Sequence, residues 1–387
     1  MLAIALADED QASTKTEETV ESDQPEVRVG GALRFNAFYK SWDEANKDTK
    51  GDFDFDTFRL NVDASHKDIT ASVEYRFYSG YNMLHHGYFG YEFDNEVAIH
   101  VGVSRNPFGL LPYASHNWFF DITYYLGMED DYDLGVKAII PLGDFDLQLA
   151  FYKSDEGHYT GDSIDSARYS YDIVQSDESE LGYVGVTEPR TNEEVNQFNG
   201  RLAYTHAHSD SASTEFGISG EWGGIYNKTT EQTGDRWAAA LHMNGTYGRY
   251  NLMLQAVQYD FSPKNPAGQD DRFIVMGAYD APYKVAADAS IFLANLAYKL
   301  PVEWGPVESL TFYNNYSYLL KDESGFSDSQ QNVLGTLVTA GSLFTYIDFA
   351  FGRNQPWIGP DYGRALAEGN VVDDWELRFN INIGYYF

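Results

Sequence analysis

The sequence predicts an all-β protein: a transmembrane antiparallel up-and-down β-barrel of about sixteen strands. Three observations carry that expectation. In the last thirteen residues Trp375, Leu377, Phe379, Ile381, Ile383, Tyr385 and Phe387 alternate with a mostly polar set that includes Glu376, Arg378, Asn380 and Asn382. A period of two makes one face of an extended strand greasy and the other wet. Aromatics at its ends suit the interfacial girdles of a strand that crosses a bilayer in roughly 9–11 residues. Segments with the same alternation recur along the chain between polar breaks. Finally, aromatic residues make up 16% of the chain, with Tyr 30 and Phe 25, while no apolar run approaches a membrane helix, which needs about 18 residues or more.

The first alternating segment, Val27 to Lys40, puts Val27, Val29, Leu33, Phe35 and Tyr39 on one face and Arg28, Arg34, Asn36 and Lys40 on the other. Four more follow before residue 105: Phe53 to Ser65, Ile69 to Phe77, Phe89 to Phe93 and Val97 to Val103. Eleven further strands are expected near 132–140, 145–153, 197–208, 214–223, 235–247, 249–260, 285–299, 308–320, 331–340, 343–353 and 372–387. Short turns such as Pro141-Leu142-Gly143-Asp144 alternate with long connections at 42–52, 105–131, 154–196, 224–234, 261–284, 321–330 and 354–371. The parity of apolar residues changes within 285–299 and 308–320, so a bulge or a miscounted strand is expected there. A soluble sandwich also alternates, but it needs two apolar inner faces and no aromatic girdle. The last strand is expected to close the barrel against the first.

Domain organisation follows from the remaining composition. Met1 to Ala7 ends in Ala5-Leu6-Ala7, a small-x-small pattern, and reads as the remnant of a signal peptide. Residues 8–26 are acidic and poor in apolar side chains, expected as a flexible periplasmic tail, and residues 27–387 as the barrel. There is no cysteine, hence no disulfide framework. A formal net charge of −33, from 59 acidic against 26 basic residues, argues against a nucleic-acid partner.

The apolar parity faces lipid, so the opposite parity faces a wet lumen. It turns Arg34, Arg59, Arg76, Lys137, Arg201, Arg236 and Arg378 inward, together with Asp63, Glu74, Glu92, Glu215 and Glu221. Basic wall residues attract anions, and facing rows of acid set up a transverse field; paired with neighbouring acids, the same arginines only stiffen the wall. Among the acidic clusters, Glu129-Asp130-Asp131-Tyr132-Asp133 offers oxygen ligands of the kind Ca²⁺ takes, without EF-hand spacing. Loop 154–196 is rich in Asp and Glu and reads as a solvated acidic loop. His85-His86 and His206-x-His208 have too few partners for a metal and are expected at the surface. No cofactor is expected.

The connection after the fifth segment is long and aromatic, running from Arg105-Asn106-Pro107-Phe108-Gly109 through Leu110, Leu111, Tyr113, His116, Trp118, Phe119 and Phe120. Pro107, Gly109 and Pro112 stop the strand, and the aromatics need a wall, which the lumen offers. Strand followed by Arg-x-Pro-Phe-Gly resembles the phosphate-selective (O/P-type) porins and their relatives, and Gly352 to Gly359 gives a second, shorter echo. The resemblance implies a third loop folded into the lumen as a constriction, a bacterial outer-membrane location among lipid and lipopolysaccharide, and a homotrimer. This chain lacks a dense basic cluster in that loop, where Arg105 is the main cation, so a broader porin is expected than a phosphate-selective one.

The expected function is passive diffusion of small hydrophilic solutes, small anions or carboxylates among them, along a path lined by Arg34, Arg59, Arg76 and Arg201 facing Arg105, Tyr113 and His116. A receptor or adhesin barrel would bind with its outer loops instead. A barrel hydrolase is disfavoured by the lack of a Gly-x-Ser-x-Gly elbow or a His-Glu-x-x-His helix.

Overall fold

The computed structural model describes residues 24–387; the expected signal remnant and most of the acidic tail lie outside these described residues. Sixteen antiparallel strands close one barrel: β1 Glu26–Lys40, β2 Asp52–His66, β3 Ile69–Phe77, β4 Asn82–Glu92, β5 Ala98–Arg105, β6 Tyr132–Leu142, β7 Phe145–Asp155, β9 Asn192–Ser209, β10 Ala212–Asn227, β11 Gln232–Tyr247, β12 Tyr250–Ser262, β15 Asp288–Trp304, β16 Val307–Lys321, β17 Ser329–Ala340, β18 Leu343–Arg353 and β19 Glu376–Tyr386. Three further strands, β8 Asp172–Ile173, β13 Phe273–Ala278 and β14 Ala281–Ala286, form a separate small sheet in the order β14-β13-β8. Two short helices, α1 Glu44–Thr49 and α2 Leu181–Val184, sit in loops.

The barrel closes as its last strand predicts. β19 pairs with β1 from Ala32 opposite Tyr386 to Lys40 opposite Arg378, leaving no free edge and satisfying the backbone within the bilayer. The register sets Arg378 beside Lys40 and Gly384 beside Arg34; Arg28 is exposed near the start of β1.

The outward parity is a hydrocarbon surface. Ile218, Leu241, Leu149 and Leu334 are exposed around its middle. Phe53, Phe55, Trp222 and Trp237 ring the rim that carries the long loops. Tyr91, Phe93, Tyr250, Trp304 and Phe387 ring the rim that carries the tight turns. Exposed apolar surface on this scale is unstable in water; a bilayer between the two girdles covers it.

Three strand expectations change. β4 begins at Asn82, seven residues earlier than its alternation suggests. Pairing with β3 jumps from Glu74 opposite His86 to Tyr75 opposite Leu84, so a bulge at His85 breaks the period and conceals the first half of the strand. In the region 285–299 the change of parity marks a boundary between β14 and β15, and the irregular pairing lies later, between Pro301 and Trp304. β16 itself pairs regularly with β17. Its mixed parity arises because Tyr313 and Leu319 point inward and are buried against loops that fill the barrel.

That filling is the main feature of the interior. Beside the third loop (106–131), the fourth (156–191), sixth (263–287) and eighth (354–375) also enter. β8 from the fourth pairs with β13 of the sixth, and Val285 of the sixth bridges to Leu366 of the eighth. The fourth loop is therefore not the solvated acidic segment its composition suggests: Arg168, Tyr169, Tyr171 and Asp172 are buried, with Asp155, Asp165 and Asp172 all on the Arg168 guanidinium at 2.8, 2.7 and 3.1 Å. His85 is buried rather than at the surface, packed at a tilt against Tyr132 and Tyr169 with ring centroids 4.4 and 4.1 Å away. His206 and His208 are exposed.

Candidate functional site

The Arg105-to-Gly109 motif has a local reason. Pro107 cannot continue the ladder, and Gly109 takes a φ of +59° that a side chain rarely tolerates. A Cβ there would stand 2.4 Å from Gln255 Oε1. Without one, the backbone lies flat on the wall: Gly109 N–H donates to Ser219 Oγ at 2.8 Å, Leu110 N–H donates to Gln255 Oε1 at 2.8 Å, and Arg201 Nε donates to the Gly109 carbonyl at 2.8 Å.

From there the third loop follows the inner surface round the barrel, and one inward side chain after another takes its backbone. Asn295 on β15 donates to the Ala114 carbonyl at 2.5 Å. Asn315 on β16 accepts from His116 N–H at 3.0 Å, Asp348 on β18 accepts from Trp118 N–H at 3.3 Å, and Gln331 on β17 donates to the Phe120 carbonyl at 2.6 Å. Buried polar wall residues are thus satisfied by the loop. The loop's far end carries two buried acids. Glu129 accepts from Ala114 N–H at 2.9 Å and Thr123 Oγ1 at 2.8 Å, and Asp121 accepts from Asn295 Nδ2 at 2.5 Å. Burial pushes Asp121 up to about 7, and burial together with the Asp121 charge pushes Glu129 up to about 8.

With the loop held there, a cavity of about 540 Å³ remains against β1, β2, β3 and β19. Four cations line it, Arg34, Lys40, Arg76 and Arg378, against two acids, Asp54 and Asp56. Its opposite side is aromatic: Trp118, Phe119, Phe120, Tyr124 and Tyr125 from the third loop, Tyr169 and Tyr171 from the fourth, Tyr279 from the sixth and Trp357 from the eighth. Trp357 Nε1 donates to the Tyr171 hydroxyl at 2.7 Å, tying the second sequence echo to this wall.

The cations are not equivalent. Arg34 pairs with Asp56 at 2.8 Å; Arg76 pairs with Glu74 at 2.6 Å and stacks over the Tyr169 ring at 4.3 Å. Arg378 lies over the rings of Phe38, Phe119 and Trp118 at 5.1, 5.3 and 5.7 Å. Among the described residues, no carboxylate forms an ion pair with it.

The remaining residues singled out in the sequence are scattered. Arg59 shares Glu74 at 3.5 Å, outside the cavity lining. Arg105 pairs with Asp130 at 3.0 Å and lies over Tyr113 at 5.5 Å, while Lys137 Nζ donates to the Arg105 carbonyl at 2.9 Å. Arg201 is held by Glu215 and Asp146 at 2.6 and 2.9 Å. Arg236 lies between Glu194 and Glu221, the latter at 2.9 Å. His116 is buried between Asn251 and Asn315, with ring contacts of 2.6 and 2.9 Å, as a fastening of the loop. The alternation reading passes over the loop tyrosines that line the cavity; the count of 30 Tyr is the sequence signal for them.

No protein-family model matches the chain, and comparison with curated proteins gives no match. Solved structures resemble it over nearly its whole length. OmpT, an outer membrane protein of Vibrio cholerae in its trimer form, is 14% identical, with 94% of this chain and 100% of that one covered at a TM-score of 0.56. The outer membrane channel DcaP of Acinetobacter baumannii is 11% identical over 95% and 98%, TM-score 0.57. An anion-selective porin from Comamonas acidovorans is 13% identical over 94% and 100%, TM-score 0.55. By fold, the chain is a closed sixteen-strand antiparallel β-barrel of the kind these bacterial outer-membrane proteins have.

Proposed function

We propose that this protein is an outer-membrane porin for passive diffusion of small hydrophilic solutes, with a preference for small anions, carboxylates included. The observation that carries the proposal is Arg378: a guanidinium in a cavity whose cations outnumber its acids, set among aromatic rings and without a carboxylate partner among the described residues. An unpaired cation in a narrow, weakly screened passage lowers the energy of an anion there and raises that of a cation. The aromatic side adds apolar faces for a solute's carbon skeleton. The solute path in this reading runs along Arg34, Arg76 and Arg378, while Arg59, Arg105, Lys137 and Arg201 tune the field, Arg236 braces the wall, and Tyr113 and His116 hold the loop. Kinship with the phosphate-selective porins rests on the Arg105-to-Gly109 motif, and assembly as a homotrimer on the trimer form of the OmpT structure.

The test is single-channel recording in a planar bilayer, with reversal potentials in asymmetric KCl. Stable steps and a reversal potential on the chloride side are expected. A closed barrel, or a potassium preference, would sink this reading.

A further inference from the structure

Away from the cavity, three acids from three segments converge. Asp131 closes the third loop, Asp133 is the second residue of β6, and Asp172 opens β8 in the fourth loop. Each is at most 6% exposed, and each offers a carboxylate oxygen within 4.8 Å of the other two. Their counter-charges are committed elsewhere. Arg168 reaches Asp172 at 3.1 Å but is shared with Asp155 and Asp165. Arg236 is taken by Glu194 and Glu221. Among the described residues, no cation forms an ion pair with Asp131 or Asp133.

A second observation points to a ligand. Two amide side chains, each no more than 4% exposed, lie against the acids. Asn106 Nδ2 donates to Asp131 and Asp133 at 2.5 and 2.7 Å, and Gln197 Nε2 donates to Asp133 at 3.2 Å. Asn106 Oδ1, Gln197 Oε1, Asp131 Oδ1 and Asp133 Oδ1 are all buried without a donor. Orphaned acceptors at this density are unusual in a folded interior. A half-turn of either terminal amide exchanges its nitrogen for its oxygen and converts a donor into a ligand.

We propose that Asp131, Asp133 and Asp172, with the amide oxygens of Asn106 and Gln197, bind one divalent cation of calcium size. The donor set is all oxygen, which selects hard cations over zinc or copper. Calcium–oxygen bonds of about 2.3–2.6 Å span about 5 Å across the ion, whereas magnesium's span only about 4 Å and demand a stricter octahedron. Bound there, the ion joins the base of the third loop to the barrel wall and to the fourth loop.

The experiment uses the full chain folded in detergent, dialysed against CaCl₂ with excess MgCl₂, with metal counted by mass spectrometry. One calcium per chain is expected, with a thermal midpoint that falls on chelation. The double variant Asp131→Asn/Asp172→Asn is expected to bind at least about tenfold more weakly, while Glu178→Gln, in the outer part of the fourth loop, keeps full binding. Should the double variant not fold, Gln197→Leu replaces it, with several-fold weaker binding expected. A folded wild type that binds no calcium, that binds magnesium equally well, or whose binding survives these substitutions overturns the proposal.

Discussion

Arg236 and Arg378 both point from the barrel wall into the lumen, both are buried, and they meet opposite surroundings. Arg236 sits between Glu194 and Glu221, over the Phe261 ring at 5.4 Å. Arg378 has three aromatic rings and, among the described residues, no ion pair. The alternation of strand residues is identical for the two, yet their charges do different things. Two carboxylates take up the charge of the first guanidinium, so it projects little positive potential and works as a brace. The second keeps its field for whatever enters the cavity.

If Arg236 is a brace, removing it strands two buried carboxylates. Arg236→Met is therefore expected to destabilise the folded barrel by about 3–5 kcal/mol, since breaking a buried pair leaves an uncompensated charge. Urea unfolding followed by heat-modifiable gel mobility reads this out. A loss below 1 kcal/mol would put the two arginines on the same footing and break the comparison.

The next effect concerns the loop that separates the two regions. Asp121 and Glu129 have pKa values of about 7 and about 8 in the folded chain, above the ordinary carboxylate range. The folded state therefore holds protons that the unfolded chain has released. The stabilisation is full below about pH 4, is lost progressively as pH rises, and is gone above about pH 8. The third loop is expected to loosen between pH 6 and about 8.5, seen as growing current noise. Glu129→Gln, which keeps the shape without the charge, should flatten that dependence. Noise unchanged across the range in wild type counts against the assignment.

How much of this was legible in the sequence follows from what a period of two reports. It reports which side of a strand faces lipid, so sixteen strands, the closure of β19 on β1 and the inward arginines are all visible in it. It fails where a bulge resets the parity, as at His85, and where the inner face is itself apolar, as at Tyr313 and Leu319. The inner face becomes apolar only because loops enter the barrel, and that is a long-range fact. Loop composition misled for the same reason. The fourth loop averages to acidic, yet its buried centre is organised by one residue, Arg168, which gathers Asp165 and Asp172 with Asp155 from the end of β7. Nothing local distinguishes Arg236 from Arg378 either; their partners come from β1, β9, β10, β12 and the third loop.

Arg378→Gln removes the cation set among aromatic rings. No carboxylate depends on this guanidinium, so the cost to stability is expected to stay near 1 kcal/mol, set by lost ring contacts. The chloride-to-potassium permeability ratio should nevertheless fall several-fold, since about 1.4 kcal/mol of lost attraction is tenfold in partition. A reversal potential unmoved by this change would mean that the anion preference resides elsewhere.

The smallest effect belongs to a pair that looks strong in geometry alone. Arg353 and Asp373 meet twice, at 2.8 and 2.6 Å, but their side chains are 35% and 38% exposed at the loop rim. Water already solvates both charges and salt screens them, so Arg353→Ala is expected to cost less than about 1 kcal/mol and to leave selectivity unchanged. The contrast with Arg236→Met is the point: the contacts are equally short, and burial of the stranded partner makes the difference. A loss at Arg353 as large as at Arg236 would show that distance, and not desolvation, governs ion pairs in this barrel.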